Sequence, residues 1–289
     1  MGLVKRQALG SRDPSPTRRL EIERRVAQTA DRIIATAPQE KADLTTAYGA
    51  DPSRIQVIPC GVDLELFRPV SRAEARAYAG IPDDRFLITF VGRLERRKGV
   101  DTILEAMGLL LREQPDLPLH AVVVGGHAKD QDPAEMPEPE QQEHRRFREI
   151  MGRYGIENRV SFTGGLPQHL LYHYYGAADV TIIPSYYEPF GMTALEALGC
   201  GSSVIASSVG GLKTTVKEGE VGLQFEAQNA QDLANKISFL IEHPEENARL
   251  RRNARPYVER HYSWKAVSRQ VAAAYQELLD LQPREQLAR

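Results

Sequence analysis

The sequence has only two cysteines, Cys60 and Cys200, among 289 residues. That is too few for a disulfide framework or a cysteine-based zinc site, and it fits a reducing compartment. No apolar run approaches the about 18 residues that a membrane-crossing helix needs. Neither charge is in excess: 37 lysines and arginines against 39 aspartates and glutamates leave a net charge of −2. That balance argues against a chain built mainly to bind nucleic acid or an anionic membrane. The opening residues MGLVKRQALG are basic but lack the apolar core of a signal peptide. No set of His, Cys and Asp has metal-ligand spacing, so no metal site is expected. A soluble cytoplasmic protein is the expectation.

What is present is an ordinary globular balance, 42% hydrophobic and 26% charged, enough for a sizeable core and a length of about two domains. From about residue 84 onward, short branched apolar runs alternate with helix-period segments. The runs lie at 86–91 (FLITFV), 119–124 (LHAVVV), 159–163 (RVSFT), 180–184 (VTIIP), 203–207 (SVIAS) and 221–225 (VGLQF). Such alternation reads as α/β: a Rossmann-like, doubly wound parallel sheet with ligands at its strand-end loops. The first 60 residues show a shorter piece of the same pattern: helix-like 20–30 and 38–48, strand-like 32–36 and 55–59. Two short strands cannot bury their own faces and those of their helices, so this part reads as a partial second α/β segment. Residues 127–142, rich in proline and acid, read as a mobile surface loop. The end is helical, over 230–242, 245–262 and a last stretch carrying Trp264, Val267, Val271, Tyr275 and Leu278 at helical spacing.

Two constellations could carry chemistry. The first is GRLERRKG, Gly92 to Gly99, between a buried strand and a helix. Gly92 lets a ligand approach the backbone, and Arg93 and Lys98, five apart across a tight loop, can converge on one diphosphate. The following helix start adds partial positive charge. A solvated basic turn explains the same four cations in six residues. The second is EPFGMTALE, Glu188 to Glu196. A helix opens near Gly191, and the N–H groups of Phe190, Gly191, Met192 and Thr193 at its start could bind hydroxyls or phosphate. Glu188 precedes that helix and Glu196 lies about one and a half turns into it. The plainer reading makes Glu188 a cap and Glu196 a helix-face acid.

Two glutamates with seven residues between them around Pro-Phe-Gly resemble the EX7E signature of retaining GT-B glycosyltransferases of family 4. GRLERRKG resembles that family's diphosphate loop, upstream at the matching distance. Ile58-Pro59-Cys60-Gly61-Val62-Asp63 with Phe67 resembles its interdomain linker, and Ala178-Asp179-Val180, Pro184-Ser185 and Ser208-Val209-Gly210-Gly211 resemble further segments. The resemblance implies a donor-binding Rossmann-like domain, the C-terminal half of a GT-B fold. Arg93 and Lys98 would bind the donor diphosphate and stabilise the leaving nucleotide without a metal or other cofactor. Glu196 would take the ribose hydroxyls. Glu188, with the N–H groups of Phe190 and Gly191, would hold the sugar. Met192 and Thr193 would approach the phosphates, and the 164–167 stretch with Leu166 would read the base. No covalent nucleophile is implied.

The resemblance also marks a departure. The family's N-terminal domain opens on a Gly-rich strand and loop that has no counterpart here, and residues 2–5 resemble a peptide late in that domain. The expectation is an N-terminally truncated chain: 1–62 the trailing part of an incomplete acceptor domain, 63–262 the donor-binding domain, and 263–289 a helix packing back on the N-terminal segment. The start and Val209-Gly210-Gly211-Leu212-Lys213 resemble the branch that includes sucrose-phosphate synthase and MshA-like enzymes, which points to UDP-glucose or UDP-N-acetylglucosamine and leaves the acceptor unknown. A non-catalytic nucleotide-sugar-binding module needing a partner, or an epimerase on the same architecture, are the competing functions. Self-association through the incomplete segment is expected. His127 reads as a loop histidine, Cys60 and Cys200 as small packers, the His169–Tyr175 aromatics as helix packing, and Arg251, Arg252 and Arg255 as a solvated helix face.

Overall fold

Short apolar runs become the strands of a parallel sheet in the computed structural model, which describes residues 17–127 and 136–281. Residues 2–5 lie outside these. The chain opens with α1 (Thr17–Thr29), β1 (Ile33–Ala35), α2 (Pro38–Tyr48) and β2 (Ile55–Val57). There follow α3 (Arg72–Ala79), β3 (Phe86–Val91), α4 (Val100–Glu113), β4 (Leu119–Val124), α5 (Glu138–Tyr154) and β5 (Val160–Gly164). Next come α6 (Leu171–Ala177), β6 (Val180–Ile183), α7 (Met192–Gly199), β7 (Val204–Ser207), the single turn α8 (Leu212–Thr215) and β8 (Gly222–Phe225). Three helices close the chain: α9 (Ala230–Glu242), α10 (Pro244–His261) and α11 (Trp264–Leu281). No helix among the described residues is long and apolar enough to cross a membrane.

All six expected strands of the larger sheet form, parallel, in the order β5-β4-β3-β6-β7-β8. The chain winds outward from β3 to β5, then returns to lay β6 on the other side of β3. That reversal opens a crevice at the carboxyl ends of β3 and β6. Side chains alternate across the sheet. Ile88 and Phe90 join Ile103 and Met107 of α4, Phe147 of α5 and Ile237 of α9 on one face. Leu87 joins Ala75 of α3, Tyr175 of α6, Leu198 of α7 and Val258 of α10 on the other. Burial on both faces is what makes these strands read as continuous apolar runs.

The N-terminal segment forms its own two-stranded parallel sheet, β1 beside β2, over Ala27, Ala35, Leu44, Tyr48 and Ile55. Both strands are shorter than the sequence pattern predicts, since each pairs with one neighbour only. α11 lies against this segment: Val267 and Ala274 pack on Ile58, and Arg32 reaches Glu277 at 3.7 Å.

Three expectations need correction. The loop read over 127–142 ends earlier, because α5 begins at Glu138, where Pro139 and the acids Glu138 and Glu140 make a favourable first turn; residues 128–135 of it lie outside the described residues. The sequence reading has no counterpart to α3. Ser71 starts that helix by accepting the Glu74 N–H at 3.2 Å, half of a Ser-x-x-Glu capping box. Arg251 and Arg255 are not a solvated face. Arg255 donates to the carbonyls of Phe67, Gly199 and Leu64, and Arg251 to that of Ala178, because carbonyls at helix ends and in loops lack an intrahelical donor and draw guanidinium groups. Arg252 is exposed as expected.

α3 matters because it supplies Arg76, whose side chain is 1% exposed. It pairs with Asp179 at 2.7 Å and donates to the carbonyls of Ala177, Pro82 and Arg85. Asp179 also accepts the Leu87 N–H at 2.7 Å, tying α3 to the starts of β3 and β6. Arg76→Ala is therefore expected to cost about 3–5 kcal/mol, the usual loss when one partner of a buried pair is removed. Urea denaturation measures it; a loss under about 1 kcal/mol would show that Arg72 alone satisfies Asp179.

Candidate functional site

The loops leaving β3 and β6 meet at the reversal of the sheet. After β3, Gly92 donates to Val124 O at 2.9 Å, and Leu94 is buried and pins the loop. A short 3-10 turn, Arg96–Lys98, follows and ends at Gly99, whose φ is 69°. A Cβ on Gly99 would overlap Pro184 O at the end of β6, so only glycine lets the loops come this close. Arg97 O accepts the Tyr186 N–H at 2.7 Å, stitching the loops together. Beneath them Asp101 is a buried hub. It pairs with Arg96 at 2.5 Å and with Arg146, and accepts the Tyr186 hydroxyl at 2.7 Å. Burial pushes the Tyr186 phenol well up, keeping it a proton donor. Of the four cations in the loop, Arg96 is thus committed to structure.

The remaining cations face a cavity of about 400 Å³ lined by Arg19, Arg93, Arg97, Lys98, Tyr187, Glu188 and Pro189. Lys98 Nζ lies 2.6 Å from Glu188 Oε2, with both side chains about 15% exposed. Ser185 Oγ donates to the same oxygen at 3.3 Å. The backbone of Glu188 is strapped from behind: Gly211 N donates to Glu188 O at 3.0 Å, and a Cβ on Gly210 would overlap that oxygen. Glu95 bridges Arg93 at 2.5 Å and Arg97 at 2.7 Å. Arg93 remains 72% exposed. Tyr187 is raised to about 12, first by burial and then by the carboxylates of Asp43, Glu40 and Glu188. A larger cavity of about 780 Å³ shares Arg93, is lined also by Glu95, and extends to Gly126 and the start of α5.

Gly191, at φ 102°, turns the chain into α7. The first amides of that helix, at Met192 and Thr193, lack intrahelical acceptors and sit at its positive end. Met192 is exposed and Thr193 half-buried. The Phe190 ring is buried against Tyr262, so its backbone, not its ring, is what a ligand could meet. Glu196 Oε2 accepts the Tyr175 hydroxyl at 2.8 Å. Burial raises the Glu196 carboxyl, and hydrogen bonds from Tyr175 and Gln168 oppose that. Leu166, partly buried, follows β5, whose Gly164 O accepts the Gly125 N–H at 2.9 Å.

Arg93, Lys98 and Glu188 therefore line one cavity, while Glu196 is not among its lining residues and is held separately by Tyr175. Lys98, expected on the diphosphate, and Glu188, expected on the sugar, stand side by side: the reversal of the sheet delivers both loops to one point, and the opposite charges pair there. Asp101, Tyr175, Arg19 and Tyr187 were not found from sequence, since each acts through residues far along the chain. Among the described residues, no three His, Cys, Asp or Glu side chains group to hold a metal ion.

Residues 71–257 match the family model described as glycosyl transferases group 1, and residues 4–66 match that of glycosyltransferase family 4. Among similar proteins is a D-inositol 3-phosphate glycosyltransferase 2 of Catenulispora acidiphila, 36% identical over 97% of this chain and 64% of its own length. Another, from Thermomonospora curvata, is 38% identical over 86% and 58%. The chain thus spans about three-fifths of the length of these relatives. The solved sucrose-phosphate synthase of Thermosynechococcus elongatus superposes with a TM-score of 0.83, at 36% identity over 97% of this chain and 66% of that one. HepE of Anabaena, solved in complex with UDP, shares the fold at a TM-score of 0.80 and 24% identity, over 93% and 70%.

The contact between Tyr175 and Glu196 carries its own test. Removing the hydroxyl takes a donor from the charged carboxylate, so in Tyr175→Phe the Glu196 carboxyl should titrate at a higher pH than in the wild type. Carbon-13 titration of the Glu196 carboxyl measures this. An unchanged midpoint would mean that the hydrogen bond does not hold the carboxylate.

Proposed function

The chain belongs to the glycosyl transferases group 1 family, and we propose that its cleft binds a nucleoside-diphosphate sugar, UDP-linked, for transfer of the hexosyl group with retention of configuration. The observation that carries this reading is the Lys98–Glu188 pair, 2.6 Å apart where the β3 and β6 loops meet. With no donor present each neutralises the other. An arriving diphosphate competes for Lys98, which together with Arg93 stabilises the negative charge that builds on the leaving nucleotide, so no metal is needed. Glu188, released from the lysine, then accepts hydrogen bonds from the sugar hydroxyls, assisted by the N–H groups of Phe190 and Gly191. Gly92 gives the phosphates room to approach the backbone, and the amides of Met192 and Thr193 meet them at the start of α7. Glu196, steadied by Tyr175, takes the ribose hydroxyls, and the backbone around Leu166 faces the base.

The acceptor in this reading is a phosphorylated polyol or sugar. Arg19 and Arg97 add positive charge to the cavity beyond what Arg93 and Lys98 supply for the donor. The relatives named for D-inositol 3-phosphate support the same class. A donor-binding module that works only with a partner remains the second reading, favoured by apolar side chains left open on the N-terminal segment: Ile22 at 54%, Val26 at 59% and Ile34 at 44% exposure. Donor binding without turnover would select it. Self-association through that face is expected to appear as a mass that rises with concentration in sedimentation.

Calorimetric titration with UDP, GDP and ADP tests the cleft. UDP is expected to bind tightest, and Lys98→Ala to weaken it by about 1.5–3 kcal/mol, the range of a charge-assisted contact. Equal UDP affinity in the wild type and Lys98→Ala would remove the basis for the reading. Donor affinity should also fall on acidification earlier than an exposed glutamate would require, because the Glu196 carboxyl is raised and its protonated form loses its acceptor character. Glu196→Gln should flatten that limb.

A further inference from the structure

A second charged hollow lies at the opposite edge of the sheet, where the strands begin. It is a cavity of about 340 Å³, lined on one side by Arg72, Asp179, Asn247 and Arg251 and on another by apolar groups such as Phe86 and Leu240. Three guanidinium groups crowd one carboxylate there. Arg72 meets Asp179 Oδ1 at 2.6 Å and Oδ2 at 3.3 Å, while Arg76 and the Leu87 N–H also occupy Oδ2. Asp179 is thus fully used. Arg76 is nine-tenths or more buried, with hydrogen bonds from Nε, Nη1 and Nη2, and does not line the cavity. Arg251 does, and its described hydrogen bonds, to Ala178 O and at 3.5 Å to Asp179 O, both run from Nη1. A guanidinium has five N–H donors, so Arg72 and Arg251 keep donors beyond these contacts. Burial lowers both Arg76 and Arg251, and the neighbouring guanidiniums add to the strain. Pro244 and Asn247 belong to the first turn of the 18-residue α10, whose positive end lies at the same hollow.

We infer that this cavity is an anion site separate from the cleft, taking the phosphate of a small phosphorylated metabolite between Arg72 and Arg251. Such a ligand accepts from the donors that Arg72 and Arg251 keep, and the apolar wall suits its organic part. The site does not depend on what the cleft binds. The test is calorimetric titration of the full chain with glycerol 3-phosphate and with inorganic phosphate, each with UDP held at saturation to fill the donor part of the cleft and repeated in Arg97→Gln, which weakens its acceptor part. Binding of glycerol 3-phosphate should persist under UDP, survive Lys98→Ala, and weaken about tenfold or more in Arg72→Gln, a change at a side chain that is 46% exposed. Arg251→Lys, which keeps the charge but loses the planar fork, should weaken it as well. Loss of binding under UDP, or the same affinity in wild type and both arginine variants, would overturn the site. Equal affinity for the two probes would overturn the role of the apolar wall.

Discussion

A parallel sheet that winds outward one way and then reverses leaves two neighbouring strands whose crossover helices depart to opposite sides. In this chain those strands are β3 and β6, and the gap between their ends is where Gly99 rests on Pro184 O and Tyr186 binds Arg97 O. The Lys98–Glu188 pair stands on that junction. Residues 90 positions apart become partners because of strand order, not because of any local preference of either loop. Without the reversal the basic loop would be a solvated turn and Glu188 a surface acid.

The order in which the cations are committed explains why a loop with so many of them is stable. Arg96 is held by Asp101 and shields Tyr186. Arg97 and Arg93 share Glu95. Lys98 is left with a partner from another loop, one that a ligand can replace. Three carboxylates, Asp101, Glu95 and Glu188, stand among the four cations, so the cluster can remain positive toward the cavity without repelling itself open.

Much of the fold could be read from the sequence because strands buried on both faces are nearly continuous apolar runs, as FLITFV and VTII are, each with a single buried threonine. The helix starts and the two motifs were legible for a similar reason: their residues are contiguous. What was hidden depended on distant partners. The eight residues of α3 give a weak period, and only the Ser71–Glu74 spacing marked its start. Tyr175 looked like one aromatic among several until its hydroxyl was seen on Glu196, 21 residues on. Arg251 looked like surface charge because the carbonyl it serves, Ala178 O, lies 73 residues earlier. Arg19 reaches the cavity from a segment with its own small core.

Helix α6 joins the two charged regions. Its Tyr175 hydroxyl supports the carboxylate at the cleft, while the carbonyl of Ala177 receives Arg76 and that of Ala178, just past its end, receives Arg251. Less than one helical turn, about 5 Å of rise, separates these attachments. A helix resists compression along its axis, so this turn acts as a short strut clamped at both ends. The carboxylate at the cleft and the arginines at the far edge of the sheet are thus anchored within one turn of the same helix end.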